Sequence, residues 1–235
     1  MSTAQIRSTD RTIPAYLATP LSAVSGPGPY PGVVLVHDAL GLSDDIRAIA
    51  ERFATAGYLT IAPDLYSRGG RARCIRSVMR DLQQARGQAF EDVDAARGFL
   101  RDRSDCTGKI GVAGFCMGGG FAIVGASRGF DASAPYYGML PTDPSVLDDA
   151  CPVVASFGAK DRTLRGAAAK LESELSERGI THDVKEYPEA GHSFANRLPL
   201  GPFNVLARFA GFGYHHESSE DAWDRVLTFF SEHLA

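Results

Sequence analysis

Short apolar runs alternate with amphipathic stretches along most of the chain. Residues 33–37 form a continuous apolar run that ends in a histidine, which is typical of a parallel strand covered on both faces. Residues 44–56 place Ile46, Ile49 and Phe53 on one face at helical spacing and therefore predict a helix. The same criteria predict further strands over 12–18 (at an edge of the sheet), 59–62, 109–113, 132–137, 153–157 and 182–187, and further helices over 75–103 (broken near Gly87), 117–126, 166–178 and 220–233.

Strands that alternate with helices imply crossover connections, so the predicted fold class is α/β with a mostly parallel sheet and helices on both faces. The 235 residues are compatible with a single domain over 1–235, and we find no internal repeat and no linker. The Phe- and Gly-rich segment 198–218 is the possible insert of this domain, and we expect it to cover the candidate site.

Composition narrows the classes of function. A net charge of −4 gives no indication of nucleic-acid binding, and there is no run of 18 apolar residues that would predict a membrane span. The first residues lack the apolar stretch of a signal peptide. The four cysteines are far apart, which favours reduced thiols in the cytoplasm over disulfides or a zinc site. We expect no metal and no cofactor, and His215-His216-Glu217 is interpreted as a solvated loop.

The most informative motif is Gly114-Phe115-Cys116-Met117-Gly118-Gly119. It has the form of a nucleophile elbow, the sharp strand-to-helix turn of many esterases, with cysteine in place of serine. Glycines allow such a turn where a larger side chain would clash. Cys116 is therefore predicted to stand at the tip of the turn, although a buried structural cysteine is the alternative.

A thiol needs a base and an orienting acid, which follow the nucleophile in the chain order acid, then histidine. Asp161 comes just after the predicted strand 153–157, and His192 lies in the loop after the strand 182–187. Both loops are predicted at the same edge of the sheet as Cys116. Asp161 could instead only cap the next helix, and His192 could be a surface histidine. Asp143 and Asp148 are rival acids, although neither directly follows a convincing strand.

The end of the predicted strand 33–37 contributes two further candidates. The backbone N–H of Ala39 is well placed to form an oxyanion hole with that of Met117. Asp38 is predicted to lie close to the thiol, with a plain turn role before Gly41 as the alternative. The glycine cluster around Cys116 matches neither of the common nucleotide-binding loops.

Taken together, these segments resemble the dienelactone hydrolase (carboxymethylenebutenolidase) family, which has the α/β-hydrolase fold. The residues that carry the resemblance are Gly114–Gly119, Ala62–Tyr66, Tyr136–Gly138, Gly158–Asp161 and Gly191–Ala195. The resemblance covers nearly the whole chain. It implies a Cys116–Asp161–His192 triad and cofactor-free hydrolysis of a lactone or ester through a thioester.

The resemblance also implies substrate contacts, at which the chain departs from the family. Asp38 stands where the family has a glutamate that activates the thiol, and Asn196, with Arg197 beside it, stands at the position of a substrate-binding arginine. The family's second arginine lies before the long helical region. The sequence does not decide among the candidates Arg71, Arg73, Arg76 and Arg80, of which we expect Arg80 to contact the substrate. The other candidate contacts are Tyr137, Ser193 and Arg197.

The sequence thus predicts a hydrolase that acts on a small lactone or activated ester. One alternative is a general carboxylesterase of the same fold, which the change at Asn196 favours. The other is a non-enzymatic protein that uses a reactive Cys116 for binding or redox sensing. The expected partner is a small-molecule substrate, not a nucleic acid or a membrane, and the protein is expected to be a monomer or a homodimer.

Overall fold

The structure, a computed structural model, describes residues 2–197 and 212–235. Its centre is an eight-stranded sheet of order β1-β2-β4-β3-β5-β6-β7-β8. The first two strands run antiparallel to their neighbours, and β4, β3, β5, β6, β7 and β8 are parallel. The strands are β1 (Ser2–Arg7), β2 (Thr12–Ala18), β3 (Tyr30–Val36), β4 (Leu59–Pro63), β5 (Cys106–Phe115), β6 (Ala132–Tyr136), β7 (Val153–Gly158) and β8 (His182–Tyr187).

Helices cover both faces of this sheet, as the alternating pattern predicts. The helices are α1 (Ser22–Ser25), α2 (Asp44–Thr55), α3 (Arg71–Gln83), α4 (Gln88–Arg101), α5 (Met117–Gly125), α6 (Ala167–Glu177) and α7 (His216–His233), with a 3₁₀ turn over Pro144–Leu147. The apolar side chains of α3, α4, α5 and α6 pack on one face and those of α2 and α7 on the other. The prediction of an α/β-hydrolase-type sheet between two helical layers is therefore confirmed.

The local sequence explains why strand β3 and helix α2 form where they do. Val33, Val34, Leu35 and Val36 of β3 are fully buried, because each face of this strand lies under a helix layer. Helix α2 begins where the Ser43 hydroxyl accepts a hydrogen bond from the Ile46 N–H at 3.3 Å.

Two boundaries differ from the sequence predictions. Strand β2 is not at the edge, because β1 pairs along its outer side from Ser2 to Arg7; β1 sends only Ala4 and Ile6 into the core, which is too short a pattern to stand out. Helix α7 begins at His216 and not at residue 220, because the His215 side chain accepts a hydrogen bond from the Ser218 N–H. Residues 215–217 are thus a helix start and not a solvated loop.

The turn from β5 into α5 depends on close contact between backbones. A Cβ atom added at Gly118 would lie 2.1 Å from the Val36 carbonyl oxygen, and one at Gly114 would lie 2.0 Å from the Gly118 oxygen. Alanine at either position would therefore force α5 away from the sheet. These contacts fix residue 116 at the edge where the parallel strands β3, β5, β7 and β8 all end.

None of the helices in 2–197 and 212–235 is both long enough and apolar enough to cross a membrane.

A pair of glycine variants tests this packing. Gly118→Ala is expected to lower the free energy of unfolding by at least about 2 kcal/mol, because the new methyl group meets a backbone carbonyl. Gly98→Ala, within α4 and with nothing within 4 Å of the added Cβ, is expected to raise it by about 0.5–1 kcal/mol. Urea unfolding followed by circular dichroism measures both, and equal effects would show that the close approach at Gly118 is not the constraint.

Candidate active site

Cys116 occupies the tip of the turn between β5 and α5. Its φ of 56° and ψ of −113° are unusual for a residue with a side chain. The surroundings enforce this conformation, since the Cys116 N–H donates to the Tyr136 carbonyl oxygen at 3.1 Å and the Gly120 N–H donates to the Cys116 oxygen at 3.2 Å. The thiol is half-buried, which leaves it open to a ligand.

The thiol lies at one end of a hydrogen-bonded series. His192 Nε2 is 3.0 Å from Cys116 Sγ, and His192 Nδ1 is 2.5 Å from Asp161 Oδ2. Asp161 is buried, and its other oxygen accepts hydrogen bonds from the backbone N–H and the hydroxyl of Thr163, at 2.9 and 2.6 Å. Since the carboxylate accepts the proton of Nδ1, it orients the imidazole with Nε2 toward the sulfur.

The two rival acids have other roles. Asp143 caps the 3₁₀ turn by accepting from the Ser145 N–H, and Asp148 pairs with Arg178. Neither is hydrogen-bonded to His192.

The loops that carry Asp161 and His192 are tied to each other. The Lys160 N–H donates to the Ala190 carbonyl oxygen at 2.9 Å, and a Cβ at Gly158 would lie 2.6 Å from the Gly191 oxygen. After the histidine, the Gly213 N–H donates to the His192 carbonyl oxygen at 3.0 Å. The distance between the acid and the imidazole is thus set by backbone contacts and not only by the side chains.

The surroundings of His192 and Asp161 shift the pKa values of both groups. Burial alone would lower the pKa of His192, but the hydrogen bonds and negative charges of Asp161 and Cys116 outweigh it and raise the pKa to about 9. Burial likewise opposes ionisation of Asp161, yet the hydrogen bonds from His192 and Thr163 hold its pKa below the ordinary value. A protonated imidazole beside an ionised carboxylate is the state that can stabilise a thiolate.

Two backbone N–H groups beside the thiol are free to bind a ligand. Within the described residues, the N–H groups of Ala39 and Met117 donate to no protein acceptor. Both residues line the same cavity as Cys116. Met117 is the first residue of α5, where the helix dipole also favours negative charge. The pair has the composition of an oxyanion hole.

Asp38, which precedes Ala39 in the chain, is buried but does not hydrogen-bond the thiol. Its carboxylate accepts from the Leu40 N–H at 2.7 Å, and burial raises its pKa to about 6. The preceding His37 fixes the turn. Because its Nε2 accepts from the Leu65 N–H, its Nδ1 carries the proton and donates to the Asp38 carbonyl oxygen at 2.7 Å.

A cavity of about 260 Å³ opens over the thiol. Its walls are mostly apolar. The described residues that line it are Ala39, Met79, Leu82, Cys116, Met117, Tyr137, Met139, Thr163, Leu164 and His192.

A series of hydrogen bonds that could not be found from the sequence fixes Tyr137, which lines one wall of the cavity. Tyr137 is fully buried at a φ of 38°, and its hydroxyl donates to Asn196 Oδ1 at 2.6 Å. Asn196 Nδ2 in turn donates to Asp45 at 2.7 Å. The Tyr137 ring lies 5.3 Å from the His192 ring. In the sequence, Asn196 stands out only as a departure from the family pattern. Its hydrogen-bond partners are too distant in the chain to be found from residue spacing.

Three predicted substrate contacts need correction. Arg80 lines a different cavity, between α3 and α4. The residues of α3 that line the cavity over the thiol are Met79 and Leu82. Ser193 is buried and does not line the cavity. Arg197 lies over the Tyr214 ring at 4.3 Å and donates to its hydroxyl, and it is not among the described residues that line the cavity.

The remaining predictions for the site concern Arg71, the insert and metal ions. Of the arginines at the start of α3, Arg71 is the one whose charge acts on Asp38, although its side chain is exposed. The expected cover over 198–218 falls largely on 198–211, which lie outside the described residues. In the part of the chain that the structure describes, no three His, Cys, Asp or Glu side chains are grouped to hold a metal ion.

Comparison with known proteins points to one family. The model of the dienelactone hydrolase family matches residues 13–234. A protein of Yersinia pestis named "Putative carboxymethylenebutenolidase" is 30% identical, over 94% of this chain and 84% of its own. A crystal structure of a "Putative Dienelactone Hydrolase" from Klebsiella pneumoniae is similar with a TM-score of 0.80 and 27% identity, covering 98% of each chain. A dienelactone hydrolase-like promiscuous phosphotriesterase from metagenomic libraries has a TM-score of 0.79 at 21% identity, over 100% of this chain and 99% of its own, a likeness of fold alone.

The raised pKa of His192 gives a pH-dependent prediction. Because this pKa rises from an ordinary 6.5 to about 9 on folding, the contribution of His192 to stability is complete below about pH 6.5. It is lost as the pH rises through about 9. We expect NMR titration to show the His192 imidazole titrating near pH 9, and unfolding free energies to fall between these two pH values.

Asp161→Asn should lower that pKa, whereas Asp143→Asn, at the exposed rival acid, should leave it unchanged. A wild-type imidazole that titrates at or below its ordinary pKa would contradict the ion-pair arrangement.

Proposed function

The chain belongs to the dienelactone hydrolase family, and from this we propose that it hydrolyses a small lactone or activated ester through a thioester on Cys116. One observation carries the proposal. A half-buried thiol at the tip of a strained turn lies 3.0 Å from an imidazole, which is itself bound to a buried carboxylate. Nucleophile, base and orienting acid in this arrangement are the parts that acyl transfer requires.

In the first half of the reaction, His192 holds the proton of Cys116 and the thiolate attacks the ester carbonyl. A C–S bond forms, and the negative charge on the carbonyl oxygen is taken by the N–H groups of Ala39 and Met117. When the tetrahedral intermediate collapses, the bond from carbon to the leaving oxygen breaks. The His192 imidazolium gives its proton to that oxygen.

In the second half, His192 acts as a base. Acylation removes the thiolate that helps to raise the pKa of His192, so the imidazole binds its proton less tightly and can accept one from water. The hydroxide so formed attacks the thioester carbonyl, the C–S bond breaks and the thiolate returns. The products are the carboxylic acid and the alcohol or enol.

Asp38 is proposed to act on this cycle by its charge. Its carboxylate faces Leu40 and not the sulfur, but it attracts the positive charge of His192. The charge of the Asp38 carboxylate favours the imidazolium form of His192 and therefore the thiolate form of Cys116. It replaces, in effect, a direct contact between acid and thiol.

A sulfur nucleophile restricts the substrate. Thiols, with a pKa of about 8.5, are much stronger acids than aliphatic alcohols. The thiolate is therefore expelled from the tetrahedral intermediate before an alkoxide is. Only a leaving group as good as an enolate or a phenolate competes with it. We therefore expect enol lactones and phenyl esters to react and amides not to react.

The test compares phenyl acetate with acetanilide. The wild-type protein is expected to hydrolyse the ester and not the amide, and Cys116→Ala is expected to lose at least about 1,000-fold in kcat. The matched control is Cys106→Ala, at the opposite end of β5, which should retain full activity. Phenol release that survives in Cys116→Ala, or rapid cleavage of the amide, would overturn the proposed mechanism.

A further inference from the structure

The walls of the cavity over Cys116 have an unusual composition. The chain has four methionines, and the three that follow Met1 all line this cavity: Met79, Met117 and Met139. They come from three separate elements, α3, the start of α5 and the loop after β6. Leu82 and Leu164 complete the apolar wall. Methionine is flexible and polarisable, and it adapts to apolar ligands of different shapes.

Apart from the Cys116–His192 pair, the described residues that line this cavity bring no charge to it. Among the described residues that line it, only Cys116, His192 and Tyr137 carry titratable groups, and the Tyr137 hydroxyl is bound to Asn196. Arg197 lies over Tyr214. Among the described residues, a carboxylate placed between the methionines would lose water without contacting an arginine or a lysine, and an ionised group buried in this way is far more costly than a neutral one.

One arginine acts on groups beside this cavity. Arg71 is exposed at the start of α3, and its charge acts on Asp38 and on Tyr66. An anionic substrate would compete with Asp38 for this arginine and would itself be repelled by the Asp38 carboxylate.

We propose that the substrate of this site is an uncharged ester whose apolar body packs against Met79, Met117 and Met139. This inference rests on the proposed esterase function of Cys116. The described walls bound a cavity of about 260 Å³, below the roughly 300–1,000 Å³ of sites that take drug-sized ligands. The site differs in this respect from one built for a dicarboxylate, in which an arginine would line the wall.

The test uses two esters of matched shape. Phenyl 6-methylheptanoate ends in an isopropyl group, and the monophenyl ester of adipic acid ends in a carboxylate of the same shape. Binding is measured by calorimetry on Cys116→Ala, which cannot form the thioester, so the result does not depend on turnover. We expect the neutral ester to bind at least about tenfold more tightly. Equal binding, or tighter binding of the carboxylate that is lost in Arg71→Gln, would overturn the inference.

A charge introduced at the wall provides the second arm. Met139→Lys, combined with Cys116→Ala, is expected to shift the ratio of the two affinities at least tenfold toward the carboxylate. Leu21→Lys makes the same change in charge at an exposed position that does not line this cavity, and it should leave the ratio unchanged. If Met139→Lys leaves the ratio as it was, Met139 does not contact the ligand and the inference is wrong.

Turnover of the same esters by the wild-type protein separates this inference from the proposed function. Tighter binding of the neutral ester without any phenol release would contradict the esterase function and still support an apolar site. Phenol release with a preference for the carboxylate would do the reverse.

Discussion

The contact between the backbone of α5 and the ends of β3 and β5 is the constraint on which the site depends. Gly118 brings the first turn of the helix so close to Val36 that a methyl group has no room. The chain can turn this sharply only if residue 116 adopts a φ of 56°, and the Tyr136 carbonyl holds it there. Because the same turn begins α5, it also leaves the Met117 N–H without an acceptor among the described residues. The thiol and the N–H group proposed as an oxyanion donor are thus fixed by a single backbone feature.

The electrostatics of the site follow from this placement. The loops after β7 and β8 lie at the same edge of the sheet as the end of β5, so His192 reaches the sulfur and Asp161 reaches His192, with Ser193 after the histidine at a φ of 62°. Two hydrogen bonds from Thr163 prevent the carboxylate from turning away from the imidazole. The hydrogen bond and the charge of Asp161 therefore help to raise the pKa of His192, which favours a protonated imidazole beside the sulfur.

Much of this arrangement could be predicted from the sequence. The glycines around Cys116, and the position of Asp161 and His192 just after predicted strands, are local signals, and parallel topology brings them to one edge. The hydrogen bond between Tyr137 and Asn196 could not be predicted, because it is a contact between distant loops with no periodic pattern. The sequence leaves the choice among the arginines open for a related reason, since this choice depends on which face of α3 meets the cavity. That face is recognisable only once Met79 and Leu82 are seen beside the thiol.

The central claim is that Cys116 itself becomes acylated. Mixing the protein with excess phenyl acetate, quenching with acid within the first turnover and analysing the peptides by mass spectrometry tests this directly. If Cys116 carries the acyl group, we expect one acetyl group on the peptide that contains Cys116, formed in a burst with phenol and absent from Cys116→Ala. An acetyl group on another residue, or steady phenol release with no acetyl group on Cys116, would contradict it.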